Sequence, residues 1–245
     1  HYSHQRFGVT NKPAPNVKPT LEAVKTLTWK KFPLQKCKIP SSVYGSLKAG
    51  QDGCIALAFS NSGTRIAVGA NSPSKSQILV YEFPSCRLIK QLSCHHGIIY
   101  EICWSSDDEV ILSVSADTTA VYWYLRNDDV KVLSHPSYVY CGKICPAQDD
   151  FVITGCWDQV LRLWWKKGRD IQLLEEIDGH EGYITAVCFA AGSQMCLSGD
   201  SLGKLRIWKI NLHPEKLATL ECLKISDLDG NINLLQPHSS GRRVL

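Results

Sequence analysis

Three histidines in this chain of 245 residues stand a nearly fixed distance ahead of a tryptophan. His95 precedes Trp123 by 28 residues, His135 precedes Trp164 by 29, and His180 precedes Trp208 by 28. Asp117 and Asp158 each fall six residues before their tryptophan. A histidine held against an aspartate can serve as a general base when a nucleophile or substrate is within hydrogen-bond reach. The sequence supplies no context for that chemistry: it has no Gly-rich phosphate loop, no GxSxG and no HExxH. The prediction is therefore a structural role for these residues, with no catalytic residue, no cofactor and no enzyme.

The eleven cysteines form no CxxC pair, which argues against a zinc ribbon or a thioredoxin-type site. The nearest approach to a ligand set is His135, Cys141 and Cys145, with no fourth ligand in evidence. Several cysteines sit in apolar runs, such as Cys54 before Ile55, Cys103 between Ile102 and Trp104, and Cys188 between Val187 and Phe189. They read as small buried hydrophobes. With no Asn-x-Ser/Thr sequon, they point to a reducing, intracellular setting.

Strands must position these residues. Each tryptophan closes an apolar run: Ala120-Val121-Tyr122-Trp123, Val160-Leu161-Arg162-Leu163-Trp164 and Lys204-Leu205-Arg206-Ile207-Trp208. The closing residues are 41 and 44 apart, and Tyr81, at the end of Gln77-Ile78-Leu79-Val80-Tyr81, lies 42 before Trp123. Two further short strands separate each histidine from its tryptophan, as in Ile98–Trp104 and Val110–Ser115. Short strands on a period of 40–45 residues, with His, Asp and Trp in set places, resemble WD40 repeats. The resemblance implies an all-β propeller of four-stranded antiparallel blades.

It also implies a buried hydrogen-bond relay of histidine, strand hydroxyl, turn aspartate and tryptophan, and its members. One blade has His95, Asp117, Trp123 and a strand serine, Ser113 or Ser115, with Ser115 in the predicted set. The next has His135, Thr154, Asp158 and Trp164; the following one has His180 and Trp208. That last blade carries Leu202 six residues before its tryptophan, with Asp200 two residues earlier, and the first has Gln51 and Lys75 where His and Asp belong. Both are expected to lack the full relay and to be less rigid.

Residues 1–48 hold nine Lys or Arg and one acid, Glu22, whereas the rest hold 18 basic and 22 acidic side chains. With Pro13, Pro15, Pro19, Pro33 and Pro40, residues 1–40 read as an extended basic arm, suited to an acidic surface. Its few aromatics give no base-stacking platform, so nucleic acid is not expected. No apolar run reaches the length of a transmembrane helix. Residues 41–245 then form an incomplete propeller, closing blades at Tyr81, Trp123, Trp164 and Trp208. A fifth repeat starts at Ile232-Asn233-Leu234-Leu235 and is truncated, giving about four and a half blades of an expected seven. Val43–Leu47 suits the strand that completes a ring, so the chain reads as a piece of a longer protein.

An ordered set of stretches resembles the jouberin family of ciliary WD40 and SH3 scaffolds. It comprises Cys37-Lys38-Ile39-Pro40, Ala49-Gly50 with Gly53-Cys54, Ile98-Ile99-Tyr100 and Cys103-Trp104-Ser105-Ser106-Asp107-Asp108. His135-Pro136-Ser137-Tyr138-Val139-Tyr140, Thr154-Gly155-Cys156 and Ser198-Gly199-Asp200 continue it. The resemblance implies a cytoplasmic, non-enzymatic scaffold at the basal body, transition zone and centrosome. It further implies roles in cilium assembly and vesicle delivery, with nephrocystin, β-catenin and a Rab GTPase as partners.

The alternatives are a generic WD40 adaptor and a substrate receptor of a cullin ubiquitin ligase. The second is weakened because Trp164-Trp165-Lys166-Lys167 and Trp208-Lys209-Ile210-Asn211 lack the Trp-Asp-x-Arg run common in such receptors. Tyr138, Trp157 and Tyr183 fall on the loop face that carries the His and Asp residues. They are the expected partner-binding anchors, since aromatic side chains dominate interface hot spots.

Overall fold

The computed structural model describes residues 46–47, 49–73, 75–147, 149–190, 194–212 and 218–237. The basic arm expected over residues 1–40 lies outside the described residues, as do residues 43–45 of the ring-completing strand and the tail beyond 237.

The described residues form sixteen strands in four antiparallel sheets, each built from consecutive strands. The first blade contains β1 (Cys54–Phe59), β2 (Arg65–Ala70), β3 (Ser76–Glu82) and β4 (Arg87–His95). The second contains β5 (Ile99–Trp104), β6 (Val110–Ser115), β7 (Thr119–Tyr124) and β8 (Val130–Ser134). The third contains β9 (Val139–Ile144), β10 (Phe151–Cys156), β11 (Leu161–Lys167) and β12 (Asp170–Ile177). The fourth contains β13 (Ile184–Phe189), β14 (Met195–Asp200), β15 (Lys204–Leu212) and β16 (Ala218–Asp227). The expected all-β, partial WD40 propeller is the architecture found.

Burial follows position within the blade. β6 and β10, covered by neighbouring blades on both faces, are buried at every residue and read as continuous apolar runs, Val-Ile-Leu-Ser-Val-Ser and Phe-Val-Ile-Thr-Gly-Cys. β12, on the outside, is mostly exposed or half-buried. The inner strands β1, β5, β9 and β13 neighbour one another in turn and wall a central cavity of about 660 Å³.

Blades meet through matched small and branched residues. A Cβ on Gly155 of β10 would lie 2.4 Å from Ile184 Cγ2 of the next blade. At the corresponding position of β6 stands Val114, and there the neighbour yields: a Cβ on Gly142 of β9 would lie 2.8 Å from Val114 Cγ1. Interiors packed to crystal density require this reciprocity.

On one loop face, carboxylates latch successive blades. Asp108 accepts from the backbone N–H groups of Asn61 (2.6 Å) and Ser62 (2.8 Å), and Asp149 accepts from Ser106 N (3.1 Å) and Oγ (2.6 Å).

After β16 the chain returns to the centre. Ile232 and Leu235 pack on Ala186, Cys188 and Leu197 of the fourth blade, and Ile232 N donates to the Asp200 carbonyl at 3.2 Å. Ile232 occupies the place Ile184 takes against the third blade: it abuts Gly199 as Ile184 abuts Gly155.

The relays and a candidate interaction face

The relay histidines all sit at blade junctions. His95 ends β4 of the first blade, and His135 and His180 lie just beyond β8 and β12, yet each bonds into the following blade. In the second blade His95 Nε2 is 2.8 Å from Ser113 Oγ, Trp123 Nε1 donates to the same oxygen at 2.8 Å, and His95 Nδ1 faces Asp117 Oδ2 at 2.8 Å. Asp117 also accepts from Thr119 N and Oγ1. Its bonds from His95 and Thr119 outweigh the burial that opposes ionisation, and hold the carboxyl well below the usual carboxylate range.

Three expectations are corrected here. The relay hydroxyl is Ser113, not Ser115. Both point the same way, but Trp123 pairs across the ladder with Ile111, so its indole reaches diagonally to residue 113 and no further. Ser115 Oγ instead accepts from Asp117 N at 3.2 Å, bracing the turn.

In the third blade, His135 and Asp158 do not meet. Arg162, four residues after Asp158, takes both carboxylate oxygens (3.2 and 2.6 Å) and also donates from Nε to Glu176 at 2.8 Å. A bidentate guanidinium outcompetes a neutral imidazole for that carboxylate. His135 Nδ1 turns to the Leu133 carbonyl at 2.9 Å, while Nε2 keeps Thr154 Oγ1 at 2.8 Å and Trp164 Nε1 donates to Thr154 at 2.8 Å.

The fourth blade, expected to be incomplete, has the whole relay. His180 bonds Ser198 Oγ (2.6 Å) and Asp200 Oδ2 (2.8 Å), and Trp208 Nε1 donates to Ser198 at 2.7 Å. Asp200 acts from the end of β14, two residues after the hydroxyl, so it escapes a search at fixed distance from the tryptophan. Among the described residues the first blade shows no relay: Tyr81 packs on Ile66 and Val68, with Leu47 and Ala49 alongside.

A carbonyl only accepts, so Nδ1 of His135 carries a proton. Burial pushes its pKa down to about 4, with the Leu133 bond opposing and the Arg162 charge adding. Burial lowers His180 as well, against Asp200. An unfolded histidine titrates near 6.5. Below that pH the unfolded chain gains a proton the folded chain refuses. The stabilisation is therefore complete above about pH 6.5 and is lost as pH falls toward 4. From His135 alone the loss between about pH 7 and 5 is roughly 2 kcal/mol. Urea unfolding of the wild type and His135→Gln at both pH values checks this: the variant should lose less, and an equal loss would place the proton elsewhere.

Backbone bonds put the relay loops and the turns after each second strand on one face. Asp52 N donates to the Asn71 carbonyl, Ala116 N to Ile98, Trp157 N to Tyr138 and Ser201 N to Tyr183. Trp157 and Tyr183 stack there with centroids 4.5 Å apart and planes 17° from parallel. Tyr140 adjoins both, at 5.9 and 5.4 Å, and Tyr100 adjoins Tyr140 at 4.8 Å.

Of the predicted anchors, Trp157 and Tyr183 are thus together, Trp157 remaining 47% exposed, and Tyr138 is 48% exposed beside them. Tyr100 and Tyr140 were missed; each is the second residue of its inner strand, which superposing Ile99-Tyr100 on Val139-Tyr140 reveals. Deeper in the channel, Glu101 pairs with Lys143 and accepts from Gly142 N at 2.9 Å. Among the described residues, no group of three His, Cys, Asp or Glu is placed to hold a metal ion. The arrangement offers an aromatic surface, and the relay imidazoles are buried at the blade junctions.

Residues 86–124, 128–164 and 171–209 match the WD domain, G-beta repeat family. With four four-stranded blades, these repeats define a WD40-repeat β-propeller. Each matched repeat begins at the outer strand of one blade and ends at the third strand of the next, which is why the relays bridge blades.

The chain is similar to Jouberin of Mus musculus, 33% identical over 244 residues, and to Jouberin of Rattus norvegicus, 32% identical over the same length. Each alignment covers 94% of this chain and 23% of the relative, so the chain spans about a quarter of the curated relatives' length. In fold alone it is similar to the β-propeller domain of Cps50 (Swd1) from Myceliophteria thermophila. That likeness has TM-score 0.67 at 16% identity, covering 82% of this chain and 63% of that one.

Proposed function

We propose that the chain belongs to a non-enzymatic protein-interaction scaffold acting in cilium assembly at the basal body and transition zone, with associated vesicle delivery. The likeness to Jouberin over 94% of the chain carries this reading. On the same likeness the partners are nephrocystin, β-catenin and a Rab GTPase, and the location is cytoplasmic, at the centrosome and ciliary base.

The docking surface of this scaffold is the aromatic face of Tyr138, Trp157 and Tyr183, extended by Tyr140. The relay histidines are structural, being buried and bonded at both nitrogens. The basic arm serves attachment to an acidic surface.

Localisation of the tagged full-length protein in ciliated cells tests the reading. Transition-zone signal with shortened or absent cilia on knockdown is the expected result. Diffuse or nuclear signal with normal cilia would overturn it, leaving a general WD40 adaptor or a ubiquitin-ligase receptor.

A further inference from the structure

The chemistry around the aromatic face indicates what it takes. The loops and turns of that face, as described, carry Asp52, Asp117, Asp158, Asp178, Glu181 and Asp229 but a single ammonium, Lys75. Asp117 and Asp158 are committed to His95 and Arg162, whereas Asp52, Asp178, Glu181 and Asp229 are exposed. The cations nearest the face are engaged: Arg162 with Asp158 and Glu176, Lys143 with Glu101, Lys204 with Asp227, and Arg206 with the Gly179 carbonyl. An indole backed on one side by a stacked tyrosine and left half open, on a face whose carboxylates outnumber its cations, suits a flat cation better than an anion or an aliphatic chain. A guanidinium stacks on such a ring while its N–H groups reach carboxylates at the ring's edge, which an ammonium does less well.

We propose that this face binds a basic linear segment of a partner protein, with an arginine laid over Trp157 beside Tyr138 and its guanidinium within reach of Glu181. The proposal rests on the reading of the aromatic face as the docking surface. It adds the sign of the partner's charge and the residue that enters first.

The test uses three fluorescein-labelled Gly/Ser peptides, each with two central variable positions filled by arginine, by citrulline or by glutamate. Binding to the full chain is followed by fluorescence anisotropy at low and physiological salt. The arginine peptide should bind, with citrulline or Trp157→Ala each weakening it about tenfold. Glu181→Gln should weaken it about threefold and flatten its salt dependence. Asp150→Asn, on the opposite loop face, should leave it unchanged, as should the melting temperature of Trp157→Ala.

Arginine-peptide binding indifferent to Trp157→Ala would overturn the proposal. Preference for the glutamate peptide, lost in Trp157→Ala, would also overturn it while leaving the docking face intact. Absence of any peptide binding that depends on Trp157 would remove both.

Discussion

Trp164→Ala should lower the unfolding free energy by about 3–5 kcal/mol. Trp164 is 6% exposed and packs in the cluster of Val110, Leu112, Val139, Ile144 and Val152, so truncation opens a cavity between the second and third blades. It also removes the N–H that Thr154 accepts while Thr154 serves His135. The chain of bonds from indole to hydroxyl to imidazole then ends on an unsatisfied buried oxygen. Domains of this kind have only about 5–15 kcal/mol in hand, so the shift in urea midpoint should be large. Trp157→Ala, at the exposed face, should stay within about 0.5 kcal/mol. Comparable losses in the two variants would mean that the buried position of Trp164 is not what stabilises the blade.

Asp200→Ala should cost about 3 kcal/mol, and more than Asp158→Ala. Asp200 is fully buried and accepts from His180 Nδ1, Leu202 N (3.0 Å) and Lys204 N (2.9 Å). Its removal strands three donors at once, one of them on a buried imidazole. Asp158 is 20% exposed, and its partner Arg162 retains Glu176. Burial opposes ionisation of Asp200, but the bonds from His180, Lys204 and Leu202 outweigh it and hold the carboxyl below its ordinary value. Its contribution is therefore present above the unfolded carboxylate range near pH 4 and lost as pH falls through the folded value. Thermal melts of both variants at neutral pH decide the ranking. A larger loss for Asp158→Ala would make the Arg162 cluster, and not the fourth-blade relay, the stronger element.

The propeller was legible in the sequence because its cause is periodic. A strand, a tight turn and a closing aromatic recur every 41 to 44 residues, and short-range patterning is enough to place each blade. The histidine–tryptophan pairs were legible for the same reason. Exposed Trp157 could be placed too, since it stands one residue before the turn aspartate. Inter-strand register and competition between side chains required the fold. Ser113 and Ser115 are equivalent by alternation, and only the pairing of Ile111 with Trp123 separates them. Asp117 and Asp158 hold the same offset from their tryptophans, yet one faces His95 and the other Arg162, because a guanidinium four residues on offers two charged donors. Asp200 joins its relay from a place the shared spacing does not mark. The aromatic face gathers Tyr100, Tyr140, Trp157 and Tyr183 from three blades, and their contacts exist only once the inner strands stand side by side. Local periodicity is written along the chain, whereas the choice among competing partners is made by distances that only packed blades define.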